Sequence, residues 1–366
     1  MKILLVAGAR PNFMKVAPLV EALKNCQTSH PGLEILLVHT GQHYDAQMSR
    51  TFFTDLGLPR PDVDLEVGSG THAEQTGRVM IAFEALLFER QPDWVVVVGD
   101  VNSTVACALA AKKLGIKVAH VEAGLRSRDW TMPEEINRVV TDVLCDALFT
   151  TDTLASDNLK AEGIDPSRIY FVGNVMIDTL LKHRESAAAL KQFEQLGFQK
   201  RRYGVLTLHR PGNVDQSETF EKIVGALDVI QRELPLAFPV HPRTRRMAEH
   251  FGLWERMQAM PNLRLLAPLG YLEMLSLVGD AALILTDSGG LQEESLVLGV
   301  ACITLRPNTE RPITVAVGAN RLVGNDPAAI VAAVRAGIAN GMNSFQRPEK
   351  WDGRAARRIA GILLGA

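Results

Sequence analysis

Short apolar runs rich in Val, Ile and Leu recur along this chain, each followed by a longer stretch in which apolar residues return at helical spacing. Runs at 3–6, 35–38, 94–98, 118–121, 148–150 and 169–172 predict six strands in the first half, and runs at 205–208, 237–240, 263–266, 283–286 and 302–305 predict five more. Strands without polar alternation are buried on both faces, and strands separated by helices pair in parallel. The expected fold class is α/β, with two Rossmann-like, doubly wound domains. A turn at Gly173 and Asn174, ahead of a polar helical segment over 178–199, sets the boundary. Residues 1–172 are expected to form the first domain and 173–351 the second. The last periodic stretch, 355–364, is expected to cross back, so that 352–366 joins the first.

Composition narrows the function. A chain of 366 residues with 47% hydrophobic residues can bury two cores. Its net charge of -2 gives no basic surplus for nucleic acid, and the clusters at 200–202 and 243–246 read as solvated loops. No apolar run approaches the roughly 20 residues that span a bilayer, so no membrane partner is expected. Residues 1–9 resemble a leader only superficially: the apolar run is short and Arg10 follows at once, which favours a first strand. Cys26, Cys107, Cys145 and Cys302 lie far apart in apolar surroundings, the pattern of reduced, buried thiols in a cytoplasmic protein.

The most informative stretch is Asp-Ser-Gly-Gly-Leu-Gln-Glu-Glu at 287–294, between a buried run and a helical pattern. Ser288, Gly289 and Gly290 at a helix start leave backbone amides open at the positive end of the dipole, a site suited to phosphate. Glu294, about one turn on, suits a ribose diol. Other polar residues stand just past predicted strand ends: Arg10, Gln42, His43, Asp100, Glu122, His209, His241 and Asp287. In an open α/β sheet those positions line the ligand crevice. Each has a structural alternative. Asp100 can cap the helix starting near Asn102, Glu122 can pair with Arg126, and Thr131 to Glu134 fits a capping box. The GxGxxA at 68–73 follows a loop and not the first strand, and the first turn carries Arg10, so no nicotinamide cofactor is expected. His39 and His43 straddle a strand end, so no metal is expected there.

The motifs GARPNFMK (8–15), TGQH (40–43), GDVNST (99–104), HVEAGLRS (120–127), PEEINR (133–138), LHRPGNVD (208–215), DSGGLQEE and TERP (309–312) stand in this order. In them the chain resembles the non-hydrolysing UDP-N-acetylglucosamine 2-epimerases over nearly its whole length. The resemblance implies two Rossmann-like domains in a glycosyltransferase-B-type arrangement with the sugar nucleotide in the interdomain cleft, and commonly a homodimer. It places Asp100, Glu122, Glu134 and His209 on catalytic positions. Arg10, Lys15, Ser288, Gly289, Gly290, Glu294 and Arg311 fall on substrate-binding ones. Family members from bacteria use a second UDP-sugar as activator, for which Gln42, His43 and His241 are the candidates here. The chain departs from better-known members at Pro211 and Gly212, at Leu269 and Gly270, and at Ile313.

The implied reaction is reversible inversion at carbon 2 of UDP-N-acetylglucosamine, giving UDP-N-acetylmannosamine without a cofactor. The proton on carbon 2 has no neighbouring carbonyl, so loss of UDP must come first and leave 2-acetamidoglucal. Cations and oriented amides favour that departure, and two differently placed carboxylates serve the two faces. A 2-epimerase of a modified sugar nucleotide such as UDP-2,3-diacetamido-glucuronic acid, and a glycosyltransferase of the same fold, are the alternatives.

Overall fold

The computed structural model describes residues 1–41, 57, 60–340 and 345–365, with the side chains of all but 10, 11 and 340. Gln42 and His43 lie outside the described residues. The chain forms two compact units, Met1–Lys182 with Glu349–Ala366, and His183–Pro348.

The first unit is a seven-stranded parallel sheet in the order β3-β2-β1-β4-β5-β6-β7. Its strands are β1 (Lys2–Ala7), β2 (Glu34–His39), β3 (Val63–Asp64), β4 (Trp94–Val98), β5 (Lys117–Ala123), β6 (Ala147–Thr150) and β7 (Ile169–Phe171). Val95, Val96 and Val97 of β4 are all fully buried, because helices cover both faces of the sheet. The helix Arg10–Cys26 packs against the C-terminal helix Ala355–Leu364. Asp178 accepts from the amides of Ala355 (3.1 Å) and Ala356 (2.7 Å), while the Thr179 hydroxyl donates to the Met14 carbonyl at 2.6 Å. The start of the helix Val175–Leu190 is thereby tied into this unit.

The second unit is a six-stranded parallel sheet ordered β10-β9-β8-β11-β12-β13. Its strands are β8 (Gly204–Thr207), β9 (Leu236–Pro239), β10 (Leu263–Leu266), β11 (Leu283–Thr286), β12 (Ala301–Thr304) and β13 (Asn320–Leu322). Leu206, Phe220, Phe238 and Leu285 centre its core.

In both sheets the strand order reverses once, at β1/β4 and at β8/β11. The crevice beyond the carboxyl ends of such strands is where open α/β sheets bind ligands. In the first unit it is flanked by the turns after Ala7 and Val98, in the second by those after Thr207 and Thr286.

Several local expectations are corrected. The edge strands escape prediction, β3 because it has only two residues and β13 because Asn320 and Arg321 stand where an apolar run would be read. Residues 243–246 are helical, within Pro242–His250, and Arg243 forms a two-pronged ion pair with Asp215. Cys26 is half-buried, whereas Cys107, Cys145 and Cys302 are buried, and all four are free thiols.

Candidate active site

In the first unit the turn after β1 is closed by Asn12, whose Oδ1 accepts from Gly8 (3.1 Å) and Ala9 (2.8 Å), and whose Nδ2 donates to the Val98 carbonyl at 3.2 Å. That side chain ties the β1 turn to the β4 turn. A Cβ on Gly8 would meet Ser103 Cβ at 2.6 Å, so only glycine permits the close approach of the helix Asn102–Lys113. One turn along the helix that Arg10 begins, Lys15 donates to Glu122 Oε2. Both side chains are buried, Lys15 at 8% and Glu122 at 2% exposure, which makes this a desolvated ion pair. Gly99 lies against it with φ +67°, and a Cβ there would stand 2.7 Å from Lys15 Nζ and 3.4 Å from Glu122 Oε2.

Glu122 is not beyond its strand, as expected from sequence, but inside β5, where the register shifts between Val121 and Ala123. Its φ of +72° is left-handed, a conformation costing on the order of 1–2 kcal/mol for a side chain with a Cβ. Bulges of this kind re-aim a side chain beside an active site. The expected Glu122–Arg126 pair does not form: Arg126 Nη1 meets Asp142 at 2.7 Å, and its Nε and Nη2 bind Glu162 at 2.9 and 2.6 Å.

Asp100 does not cap the helix Asn102–Lys113, whose N-cap is Val101; its carboxylate meets Arg138 Nη1 at 2.5 Å. Arg138 is held in turn by Glu135 through Nε (3.0 Å) and Nη2 (2.6 Å). Burial would push the Glu135 carboxyl up. The Ser127 amide, the Arg138 guanidinium and the Arg128 amide outweigh it and hold it below the ordinary range. The capping box at Thr131 is absent as well. The Thr131 hydroxyl turns to Asp129 at 2.6 Å, and Met132 starts the helix Pro133–Leu144 with no side-chain cap. Glu134 is half-buried in its first turn. The first unit thus gathers Lys15, Asp100 and Glu122 around Gly99, with Arg138 linking Asp100 to the helix that bears Glu134. Of the Arg10 side chain nothing is described.

In the second unit Asp287 is the organising group that sequence reading placed at a strand end without a role. It is fully buried and accepts from the amides of His209 (3.0 Å) and Arg210 (2.9 Å) and from Asn213 Nδ2 (3.2 Å), while its Oδ1 lies 2.9 Å from His209 Nδ1. Burial would raise its carboxyl, but the hydrogen bond and charge of His209 and the two amides hold it low. Asp287 therefore fastens His209 beside the start of the helix Gly289–Leu298, whose N-cap Ser288 adopts extended backbone. Of the three amides expected to be open, that of Ser288 instead donates to the Thr286 hydroxyl at 2.9 Å, which leaves those of Gly289 and Gly290 at the start of this ten-residue helix. Gly289 packs on Glu310: a Cβ would lie 2.5 Å from Glu310 Oε1. Burial would raise Glu310 too, yet Arg306 (2.8 Å), Arg311 and Arg210 (3.6 Å) pull it far below the ordinary range.

Glu293 and Glu294 are both buried. Glu293 pairs with Arg311 Nε at 3.0 Å, so the expected phosphate ligand Arg311 is anchored at its base by a carboxylate. Burial and the neighbouring Glu293 push the Glu294 carboxyl up to about 8, with the Tyr271 phenol acting in the opposite sense. His241, expected at a second ligand site, caps the helix Pro242–His250 and stands 5.7 Å from the His209 ring centroid to centroid.

Two Rossmann-like units, each with charged groups gathered near the reversal of its sheet, define an α/β protein of the doubly wound, ligand-binding class. Comparison with known proteins gives the family. The profile described as UDP-N-acetylglucosamine 2-epimerase matches residues 25–364. A UDP-N-acetylglucosamine 2-epimerase of Methanocaldococcus jannaschii is 42% identical over 368 residues, covering 99% of both chains. The crystal structure of the Methanocaldococcus jannaschii UDP-GlcNAc 2-epimerase in complex with UDP-GlcNAc and UDP superposes with a TM-score of 0.93 at 41% identity, covering 100% of each chain. A UDP-2,3-diacetamido-2,3-dideoxy-D-glucuronate 2-epimerase of Pseudomonas aeruginosa is 43% identical over 342 residues, 92% of each. The chain belongs to the non-hydrolysing UDP-N-acetylglucosamine 2-epimerase family. It is an isomerase, a sugar-nucleotide 2-epimerase.

Proposed function

We propose that the enzyme interconverts UDP-N-acetylglucosamine and UDP-N-acetylmannosamine by eliminating and re-adding UDP. The observation that carries this reading is the set of cation-paired carboxylates, buried Glu122 on Lys15 and half-buried Asp100 on Arg138, in a chain 42% identical to an epimerase of that name. A carboxylate held in place by a fixed cation is positioned to take up a proton once the substrate has become acidic.

The leaving group is UDP. The amides of Gly289 and Gly290, the Ser288 side chain, His209, Arg311 and Arg10 are assigned to the diphosphate, and Glu294 to the ribose. The bond from carbon 1 to the phosphate oxygen breaks with its electron pair on UDP, and positive character on the ring acidifies the proton on carbon 2. One carboxylate among Asp100, Glu122 and Glu134 takes that proton, leaving 2-acetamidoglucal. Another acid among them delivers a proton to the opposite face of carbon 2, and UDP re-adds at carbon 1. The net change is one inverted centre, with no cofactor consumed.

A diacetamido-glucuronate sugar nucleotide is the second reading, favoured by the Pseudomonas aeruginosa relative. Supplying each UDP-sugar separately and resolving the epimers decides the matter. Turnover of UDP-N-acetylglucosamine is the expected result, and inversion of only the diacetamido substrate would overturn it. A second UDP-sugar acting as activator through Gln42, His43 and His241 would show as sigmoidal velocity curves that become hyperbolic in His241→Ala.

A homodimer fits one surface of the first unit. The helix Pro133–Leu144 is inverted: Glu135, Asn137, Arg138, Thr141 and Asp142 are buried, while Ile136, Val140 and Val143 are exposed. Ile81 and Phe88, at 74% and 64% exposure, lie on one face of the helix His72–Arg90, and the helix Asn102–Lys113 packs against this helix and against Pro133–Leu144. Apolar faces of this extent mark interaction surfaces. Light scattering is expected to give a dimer that Ile81→Asp and Val143→Asp break, and a wild-type monomer at micromolar concentration would contradict it. No helix among the described residues is long and apolar enough to cross a membrane, and the free thiols suit the cytoplasm.

A further inference from the structure

His120 lies in β5, fully buried, with both ring nitrogens engaged. Nε2 is 2.8 Å from the Gly99 carbonyl, and Nδ1 is 2.6 Å from Asp142 Oδ1. A carbonyl oxygen only accepts, so Nε2 must carry a proton. Asp142 also meets Arg126 Nη1 at 2.7 Å and accepts from the Gly124 amide at 3.1 Å, both through Oδ2; burial would raise its carboxyl, but the charged partners on either side hold it ionised, below the ordinary range. An ionised carboxylate likewise only accepts, so Nδ1 must donate as well. The network is electrically balanced: His120 and Arg126 carry the positive charges, Asp142 and Glu162 the negative ones.

The position of this ring matters because of what it holds. Gly99 is the residue whose missing Cβ makes room for Lys15 Nζ and Glu122 Oε2, and the residue after it is Asp100. The peptide from Gly99 to Asp100 has its carbonyl fixed by His120, and the amide of Gly99 donates to the Val121 carbonyl at 3.0 Å. Rotation of that peptide would displace both ion pairs.

We propose that His120 is a positioning residue, locked as the imidazolium, which fixes the Gly99–Asp100 peptide and lays a positive charge behind the carboxylates of Asp100 and Glu122. The groups around it are Asp142 from the helix Pro133–Leu144, with Arg126, Glu162 and the buried Cys145 thiol beyond. On the Gly99 side stand Lys15, Glu122, and Asp100 with Arg138. The added charge favours the ionised carboxylates that the proposed reaction needs, and on that reading the kinetic part of the test depends.

The protein contains nine histidines, few enough for nitrogen-15 histidine labelling of the full-length chain. In the unliganded enzyme at pH 7.5 the histidine ring signal that His120→Gln removes is expected to show both nitrogens protonated. A neutral tautomer at His120 would overturn the proposal, whatever the substrate proves to be. In turnover, His120→Gln keeps a donor for Gly99 but loses the charge and the Asp142 contact. Its kcat is expected to fall about a hundredfold while KM changes little, the scale set by misplacement of reacting groups. The acidic limb of its kcat profile moves to higher pH. A variant with wild-type kcat and an unmoved limb also overturns the proposal. If His120→Gln does not fold, the wild-type spectrum, assigned through backbone correlations, still decides.

Discussion

Replacing Lys15 by Met tests the buried ion pair directly. Lys15 is 8% exposed and Glu122 2%, so neither charge has water to fall back on. The methionine fills most of the lysine volume, and the change is therefore mainly electrostatic. Leaving one member of a buried pair uncompensated costs about 3–5 kcal/mol, whereas removing both members with volume kept is nearly neutral. Lys15→Met and Glu122→Gln should each destabilise the first unit on that scale, while the double variant costs far less than their sum. Tryptophan fluorescence during urea unfolding suits the measurement, because Trp94, Trp130 and Trp351 belong to the first unit and only Trp254 to the second. The cycle should give a coupling of roughly 2 kcal/mol or more. Additivity of the singles to within about 0.5 kcal/mol would refute the claim that the two charges are desolvated together.

Three further outcomes follow from the geometry. Glu294 sits near 8 before ligand binds, and ribose hydroxyls donating to it would favour the carboxylate. Calorimetry of UDP binding at pH 7.5 in buffers of different ionisation enthalpy should therefore show proton release, absent in Glu294→Gln, and affinity rising as pH passes through 8. No release in the wild type would remove Glu294 from the ribose. Gly289→Ala drives a Cβ to 2.5 Å from Glu310 Oε1, which Arg306 and Arg210 hold in place, so the helix start must shift. Its Kd for UDP should rise at least about tenfold, or about 1.4 kcal/mol, and unchanged affinity would place the phosphates elsewhere. Burial raises the Asp178 carboxyl from 3.8 to about 6, so the folded chain retains a proton that the unfolded chain has lost. That contribution is present below pH 4 and disappears as pH climbs to 6, and Asp178→Asn should flatten the stability curve across this window in thermal melts at stepped pH. A wild-type curve in the variant would show that Asp178 does not titrate there.

Much of this was legible in the chain because parallel strands buried on both faces announce themselves as unbroken Val, Ile and Leu runs. The run 94–98 coincides with β4 to the residue. The helix start at 288–290 was equally plain, since two glycines after a strand have few other uses. What escaped was tertiary. The left-handed backbone of Glu122 is imposed by a register shift and carries no local signal. Its pairing with Lys15 joins residues 107 apart in sequence. Thr131 obeyed Asp129 instead of the helix it precedes, because a nearer acceptor won. Asp287 and Arg138 had a legible clue: the i,i+3 spacing of Glu135 and Arg138 predicts a pair on one helical face, and an aspartate after a buried strand predicts a loop anchor. The Gly99 contact with His120 had none, for it depends on two adjacent strands meeting in register.

The central claim is that departure of UDP precedes and permits inversion at carbon 2. Turnover of UDP-N-acetylglucosamine in deuterium oxide, with the product isolated and its sugar examined by proton NMR, tests it most directly. The account predicts deuterium at carbon 2 of the UDP-N-acetylmannosamine formed. A product retaining only protium at that carbon would contradict it.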